Sequence, residues 1–293
     1  MGFSACHPAI NFIYFTCVIA VTLCIPHPIF LAISLLCAFA YTVKLNRTKG
    51  AVFGAVLAPC AAAFALWYSS YSHFGVTVLS QNFIDNNITL EALVYGLVLG
   101  FMAAGAMIWF SCVHAIFTTD KVVYLFGKVS PRLSLFLAII LRMVPRIKQQ
   151  AKKLNTALRG IGMAADQGNI LERARNCIRI FSMLVTWIID MLTNASESMQ
   201  SRGSTLRGRT AFSIYRFDNR DRAYVICLLT ALILLAMGLV LRQGYISYSP
   251  VIRMNPVTPL SFVFYAGYAV LCLMPLALDL WTEWRFRRAR KEM

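Results

Sequence analysis

The stretch Tyr224-Val225-Ile226-Cys227-Leu228-Leu229-Thr230-Ala231-Leu232-Ile233-Leu234-Leu235-Ala236-Met237-Gly238-Leu239-Val240-Leu241 contains no charged side chain. Wound as a helix it is roughly 27 Å long, close to the thickness of a bilayer's hydrocarbon core. Outward from this run the chain repeats the pattern. Predicted spans cover 9–25, 28–45, 50–70, 89–117, 222–241 and 259–282. Composition agrees: 59% of the 293 residues are hydrophobic, only 14% are charged, and mean hydropathy is +0.65. The fold class that follows is all-α, a polytopic membrane protein with about six transmembrane helices and a cytoplasmic insert of long amphipathic helices.

The net charge of +16 is sorted along the chain. Lys44, Arg47 and Lys49 mark one loop as cytoplasmic, whereas Ser69 to Glu91 has no Lys or Arg and fits the outside. The segment 118–222 holds 18 of the 28 basic residues, and Arg285, Arg287, Arg288, Arg290 and Lys291 follow the last span. Only Arg242 and Arg253 fall in a predicted outside loop. The positive-inside rule then predicts a multi-pass protein of the cell membrane with both termini cytoplasmic. Three regions result: an N-terminal membrane part over 1–117 with four spans, a cytoplasmic region over 118–221, and a C-terminal membrane part over 222–293 with two spans and a basic tail. Orientation and attraction to the anionic lipid bilayer account for the charge, so no nucleic-acid partner is expected.

The nine cysteines are scattered without a Cys-x-x-Cys pair, which reads as packed thiols. No basic segment precedes the first apolar run, so an uncleaved first span is expected. Cys6 stands where a myristoylation signal beginning at Met1-Gly2 wants Ser or Thr.

Pro26-His27-Pro28 predicts a tight turn, and Asn87 or Thr89 is expected to cap the fourth span. Pro59 and Pro275 lie inside spans and are expected to kink them. Within the insert, Ser130-Pro131 predicts a helix start, with an apolar half (Leu133 to Val144) too short to span before Arg146, Lys148, Lys152 and Lys153. After a turn at Asp166-Gln167-Gly168-Asn169, a second helix begins with Arg173, Arg175 and Arg179 and becomes apolar from Ile180 to Leu192. A seventh span over 177–193 would flip the parity and place the basic tail outside. An amphipathic helix along the membrane surface or against other subunits is the alternative. Met183, Leu184, Trp187, Ile188 and Met191 recur at helical spacing and form its apolar strip, facing a membrane partner, the bilayer or the chain's own spans.

Signs of chemistry are sparse. His7, His27, His73 and His114 are far apart in sequence, without acidic or Cys neighbours at ligand spacing, so no metal site is predicted. There is no phosphate-binding G-x-x-x-x-G-K-[ST] loop and no G-x-S-x-G elbow. Inside the spans only Glu91 and Asp279 are acidic, both near span ends, which argues against a self-sufficient ion-driven carrier. No catalytic residue or cofactor is expected. What stands out is a pair of helix endings: Arg159-Gly160-Ile161-Gly162 and Ser201-Arg202-Gly203. Each taken alone reads as a C-cap.

With their flanks they say more. His7-Pro8 before Asn11-Phe12-Ile13-Tyr14-Phe15, the second His27-Pro28, and Leu141-Arg142-Met143-Val144-Pro145 accompany them. So do Arg179-Ile180-Phe181-Ser182, Thr186-Trp187, Ser198-Met199-Gln200-Ser201-Arg202-Gly203, Arg209-Thr210-Ala211-Phe212-Ser213 and Arg216-Phe217. Over most of its length the chain resembles the transmembrane (T) component of energy-coupling factor transporters, ABC importers of vitamins and metal ions. The resemblance implies a non-enzymatic coupling subunit. Its partners would be two cytosolic ABC ATPase subunits, which bind the ATP, and a membrane substrate-binding (S) subunit. In that family two cytoplasmic coupling helices each end in a small residue, Arg, and Gly or Ser, and each arginine enters a groove on one ATPase.

Ser201-Arg202-Gly203 matches that motif. The first ending departs: Gly160-Ile161-Gly162 stands where the family has Ala-Arg-Gly, with Arg159 two residues earlier. Arg159 either reaches the same groove from a shifted position or is a flanking cation. Two other classes remain open: a conventional permease that binds substrate itself, and a membrane-embedded enzyme.

Overall fold

The computed structural model describes residues 2–72, 74–81, 87–127, 130–203, 206, 215 and 217–291. His73, Asn86, 209–213 and Arg216 lie outside the described residues. In chain order the helices are α1 (Pro8–Cys24), α2 (Pro28–Tyr71), α3 (Leu90–Ile116), α4 (Thr119–Gly127), α5 (Pro131–Arg159), α6 (Ile170–Ser201), α7 (Asn219–Val240) and α8 (Pro259–Lys291). Two short antiparallel pairs interrupt them: β1 (Val78–Gln81) with β2 (Asn87–Thr89), and β3 (Ile246–Ser247) with β4 (Arg253–Met254). The chain forms two compact units, 1–118 with 215–293, and 119–214.

Helix α2 is two helices in one. At Arg47 the backbone turns through φ 49°, ψ −126°, outside any helical conformation. Gly50 then lies so close to Thr42 that a Cβ on it would be 2.5 Å from the Thr42 carbonyl oxygen. In a straight helix those two residues would be about 12 Å apart. The chain therefore doubles back, and its arms, 28–46 and 48–71, correspond to the second and third predicted spans. The loop expected between them is reduced to a turn at one residue.

Among the described residues five helices (α2, α3, α6, α7 and α8) are long and apolar enough to cross a membrane, and α1 is a shorter apolar helix of 17 residues. Counting the arms of α2 separately, α1, α2, α3, α7 and α8 supply six segments at the six predicted spans, and the fold is that of an all-α polytopic membrane protein. Helix α6 also meets the length and hydropathy requirement, yet only 11% of its most apolar window is buried.

Small residues set the helix spacing. A Cβ on Gly100 of α3 would lie 2.7 Å from the carbonyl oxygen of Ala61 in α2, and Gly96 approaches Ala65 in the same way. Such small-xxx-small pairs let helix backbones touch where lipid offers no hydrophobic drive. The larger core cluster is aromatic: Tyr14, Phe15 and Trp109 meet edge to face and are buried. Its polar groups are mostly paired, with Trp109 Nε1 donating to Ser34 Oγ at 3.0 Å and Thr22 and Ser34 hydroxyls 2.8 Å apart. In a low-dielectric interior such pairing is what makes burial of polar atoms tolerable.

Of the two candidate caps for α3, the side chain of Asn87 lies outside the described residues. Thr89 occupies the N-cap of α3, but its side chain does not cap the helix: Oγ1 donates to the Phe74 carbonyl at 2.6 Å. Pairing of Thr89 with Val78 in the β1–β2 hairpin fixes it as extended backbone beside that carbonyl. The Glu91 carboxylate instead accepts the Thr77 amide at 3.3 Å.

Candidate functional site

The unit over 119–214 contains both helix endings singled out above, and its local chemistry explains their shapes. Helix α4 packs on α5, with Ser134 Oγ donating to the Val123 carbonyl at 3.2 Å. Helix α5 ends in a Schellman arrangement: the Met163 amide reaches back to the Leu158 carbonyl at 3.0 Å and the Gly162 amide to the Arg159 carbonyl at 3.3 Å. This closure requires a left-handed residue, and Gly162 supplies it at φ 76°. A Cβ on Gly162 would meet nothing within 4 Å, so the glycine serves the backbone and not a tight contact. Gly160 has an ordinary helical φ of −64°.

The ten-residue connection to α6 is held from both helices. Asn155 Oδ1 on α5 accepts the Ala165 amide at 2.9 Å, and Asn176 Nδ2 on α6 donates to the Ala164 carbonyl at 3.2 Å. Ala164 is fully buried between them. Asn169 and Glu172 form a reciprocal capping box that starts α6, with the Asn169 amide donating to Glu172 Oε2 at 2.9 Å.

Arg159 is engaged inside this connection, where its guanidinium pairs with the Asp166 carboxylate. That hydrogen bond holds the Asp166 carboxyl below the usual carboxylate range. Both side chains are more than half exposed, so solvent screening leaves the pair a small share of stability.

At the far end, α6 closes around Arg202 and Gly203. The Gly203 amide donates to the Gln200 carbonyl at 2.9 Å with φ 79°, and Ser201 Oγ donates to the Ser198 carbonyl at 2.9 Å. Arg202 is exposed, and among the described residues its guanidinium has no hydrogen-bond or ion-pair partner.

The two endings share one backbone feature, a left-handed glycine whose amide reaches back three residues to a carbonyl. Ile161 and Arg202 each stand immediately before a left-handed glycine that closes a helix, and both are exposed. Ile161, at 66% exposure, holds the place that Arg202 holds in the second ending. Arg159 lies one half-turn earlier and is turned to Asp166. With 32 residues, α6 is roughly 48 Å long as a straight helix, so the endings lie far apart along it.

Along α6, Met183, Leu184, Trp187, Ile188 and Met191 are half-buried. A second apolar stripe, of Ile178, Phe181, Val185, Ile189 and Leu192, is the exposed one. Its spacing is also helical, so periodicity alone marks both stripes. Among the described residues no three His, Cys, Asp or Glu side chains gather as metal ligands would. Compared with the models of known families and with curated proteins, the sequence matches none.

Proposed function

We propose that this chain is the transmembrane coupling subunit of an energy-coupling factor importer. In this reading it converts the motion of two cytosolic ATPases into movement of a separate membrane subunit that binds a vitamin or a metal ion. The observation that carries the reading is the pair of helix endings that share a left-handed glycine. Each presents one exposed side chain ahead of a left-handed glycine, and the length of α6 puts them too far apart for one groove to receive both. Two receivers are implied, one for each ending.

Arg202 is the stronger contact. Its guanidinium is uncommitted among the described residues, and a planar fork can bind a carboxylate or a pair of carbonyls in a groove as no lysine can. The following glycine turns the chain away from the partner. At the other ending the corresponding contact is the apolar Ile161, and Arg159 is a lesser contributor because Asp166 already holds it. Stiff helices behind both endings transmit displacement where a flexible loop would absorb it. The exposed stripe from Ile178 to Leu192 supplies an apolar face for the membrane partner or the bilayer surface. In this reading α6 lies outside the bilayer and six segments span it, and the sorting of basic residues by the positive-inside rule supports cytoplasmic termini and a cytoplasmic 119–214 unit.

The test is co-purification of the ATPases and ATP-driven uptake, with membrane expression as the control. Truncating an arginine that is buried with its partner costs about 2–5 kcal/mol, and each 1.4 kcal/mol is a factor of about ten. Arg202→Ala and Arg202→Lys should therefore both lose most association or uptake, and Arg159→Ala should lose less. Wild-type assembly and uptake in Arg202→Ala would reduce that residue to a helix cap and remove the reading's main support. Substrate binding by the isolated chain would favour a conventional permease instead.

A further inference from the structure

Beside the turn at Arg47, α2 faces the last turns of α8 across a cavity of about 910 Å³. Its lining includes four cations, Lys44, Arg47, Arg287 and Arg290, with one carboxylate, Glu283, and the ring of Phe286. We propose that this cavity binds the phosphate headgroup of an anionic phospholipid. The proposal is independent of the coupling role.

Charge is the first argument. Glu283 lies 2.5 Å from Lys44 and 4.0 Å from Arg287, so the only acid is shared by two of the cations. Arg47 and Arg290 are left without an ion-pair or hydrogen-bond partner among the described residues. Two guanidinium forks, one from each side of the cavity, match the oxygens of a phosphate diester.

The backbone at Arg47 is the second. Its φ of 49° with ψ of −126° is a conformation suited to glycine, and a glycine there would make the same turn without steric cost. Sorting of positive charge to one side of a membrane asks only that an arginine be somewhere near this end. It does not ask for one at the strained residue. A conformation kept against its cost points to a use for the side chain.

Depth in the bilayer is the third. On α8, Trp281 and Trp284 are exposed, and Arg285 and Arg288 stand over their rings at 5.1 and 5.3 Å. Exposed tryptophans with paired cations are the usual furnishing of the headgroup layer. The cavity is lined by residues interleaved with them on the same helix. Phe286, 65% exposed, supplies an apolar side for the first carbons of an acyl chain. Basic pockets between spans are where anionic headgroups bind.

Inorganic phosphate has the same charge chemistry, but only a lipid would use the apolar side. The test is native mass spectrometry of the full chain in mild detergent with defined mixtures of phosphatidylcholine and phosphatidylglycerol. Wild type should retain phosphatidylglycerol selectively. Arg47→Gly removes the guanidinium while suiting the backbone, so it should fold at least as well as wild type and bind phosphatidylglycerol about fivefold more weakly. Arg290→Gln should lose a similar factor without touching the turn, and the double variant roughly 25-fold. Arg253→Gln, in the connection between α7 and α8, should lose nothing. Unchanged retention in Arg47→Gly and Arg290→Gln, or an equal loss in Arg253→Gln, would overturn the site. Full displacement of the lipid by millimolar inorganic phosphate would make it a free-anion site and overturn the lipid assignment.

Discussion

Replacing Gly100 by alanine tests the packing that holds the membrane unit together. The added Cβ would lie 2.7 Å from the carbonyl oxygen of Ala61. A carbon rests against such an oxygen at roughly 3.3–3.6 Å, so α3 and α2 must part by about 0.6–0.9 Å. The obstacle is backbone, which cannot rotate aside as a side chain can. Overpacking of this kind costs about 1–3 kcal/mol. Against it stands the gain of about 1 kcal/mol for alanine over glycine inside a helix. Gly267 of α8 offers an internal reference, because a Cβ there would meet Leu234 at an ordinary 3.6 Å. Gly267→Ala collects the helix gain alone. The two variants should thus differ by the overpacking cost itself, with Gly267→Ala at or above wild type and Gly100→Ala below it. Reversible unfolding in mixed micelles of dodecyl sulfate and a mild detergent would measure both. Equal midpoints for the two variants would refute the close approach of α3 to α2.

Other consequences can be checked separately. Asn176→Ala removes the amide that donates to the buried Ala164 carbonyl, so the connection between α5 and α6 should weaken by about 1–3 kcal/mol and tryptic cleavage at Arg159 should accelerate. His27, buried at the turn between α1 and α2, has its pKa lowered by desolvation. Its neutral form is favoured in the fold, so its stabilisation is complete above the unfolded value of about 6.5 and is lost as pH falls through the folded value. Thermal stability should fall between pH 7 and 5, and His27→Gln should flatten that slope. Cysteine probes on a thiol-free background should label at Ser72 from outside and at Lys291 from inside; the opposite pattern would overturn the topology.

The membrane unit was legible in the sequence because length and uninterrupted hydropathy are local properties. The sharp turn at Arg47 was not, since Lys44-Leu45-Asn46-Arg47 contains neither Gly nor Pro and the strain is imposed by packing of the two arms. Thr89 had the right chemistry for a cap, but its hydroxyl is turned to the Phe74 carbonyl and accepts no amide of the first turn. In the 119–214 unit the Arg-Gly steps pointed to both helix ends. The positions that close the helices, Gly162 and Gly203, depend on backbone conformations that a spacing pattern does not reveal. Asn155 and Asn176 are 21 residues apart and act together only after the connection has folded, so neither stood out as a clamp. Apolar residues occupy adjoining stripes of α6, and only the folded chain distinguishes the half-buried one from the exposed one.

The segment around α1 is fastened by residues made more than two hundred positions later. The Phe3 amide donates to Asp279 at 2.6 Å, the Tyr14 hydroxyl to the Cys272 carbonyl at 3.4 Å, and the His7 amide to Asp221 at 3.4 Å. Phe3 and Tyr14 are completely buried in the finished molecule. A ribosome adding about 5–20 residues per second needs roughly 14–55 s to travel from Phe3 to Asp279. Throughout that interval the first helix has lipid, or an attendant insertion factor, in place of its final neighbours. Synthesis therefore passes through a long-lived state in which Phe3 and the aromatic face of α1 await α7 and α8. Truncation within α8 would strand that state, and surveillance proteases would meet an unpacked first span.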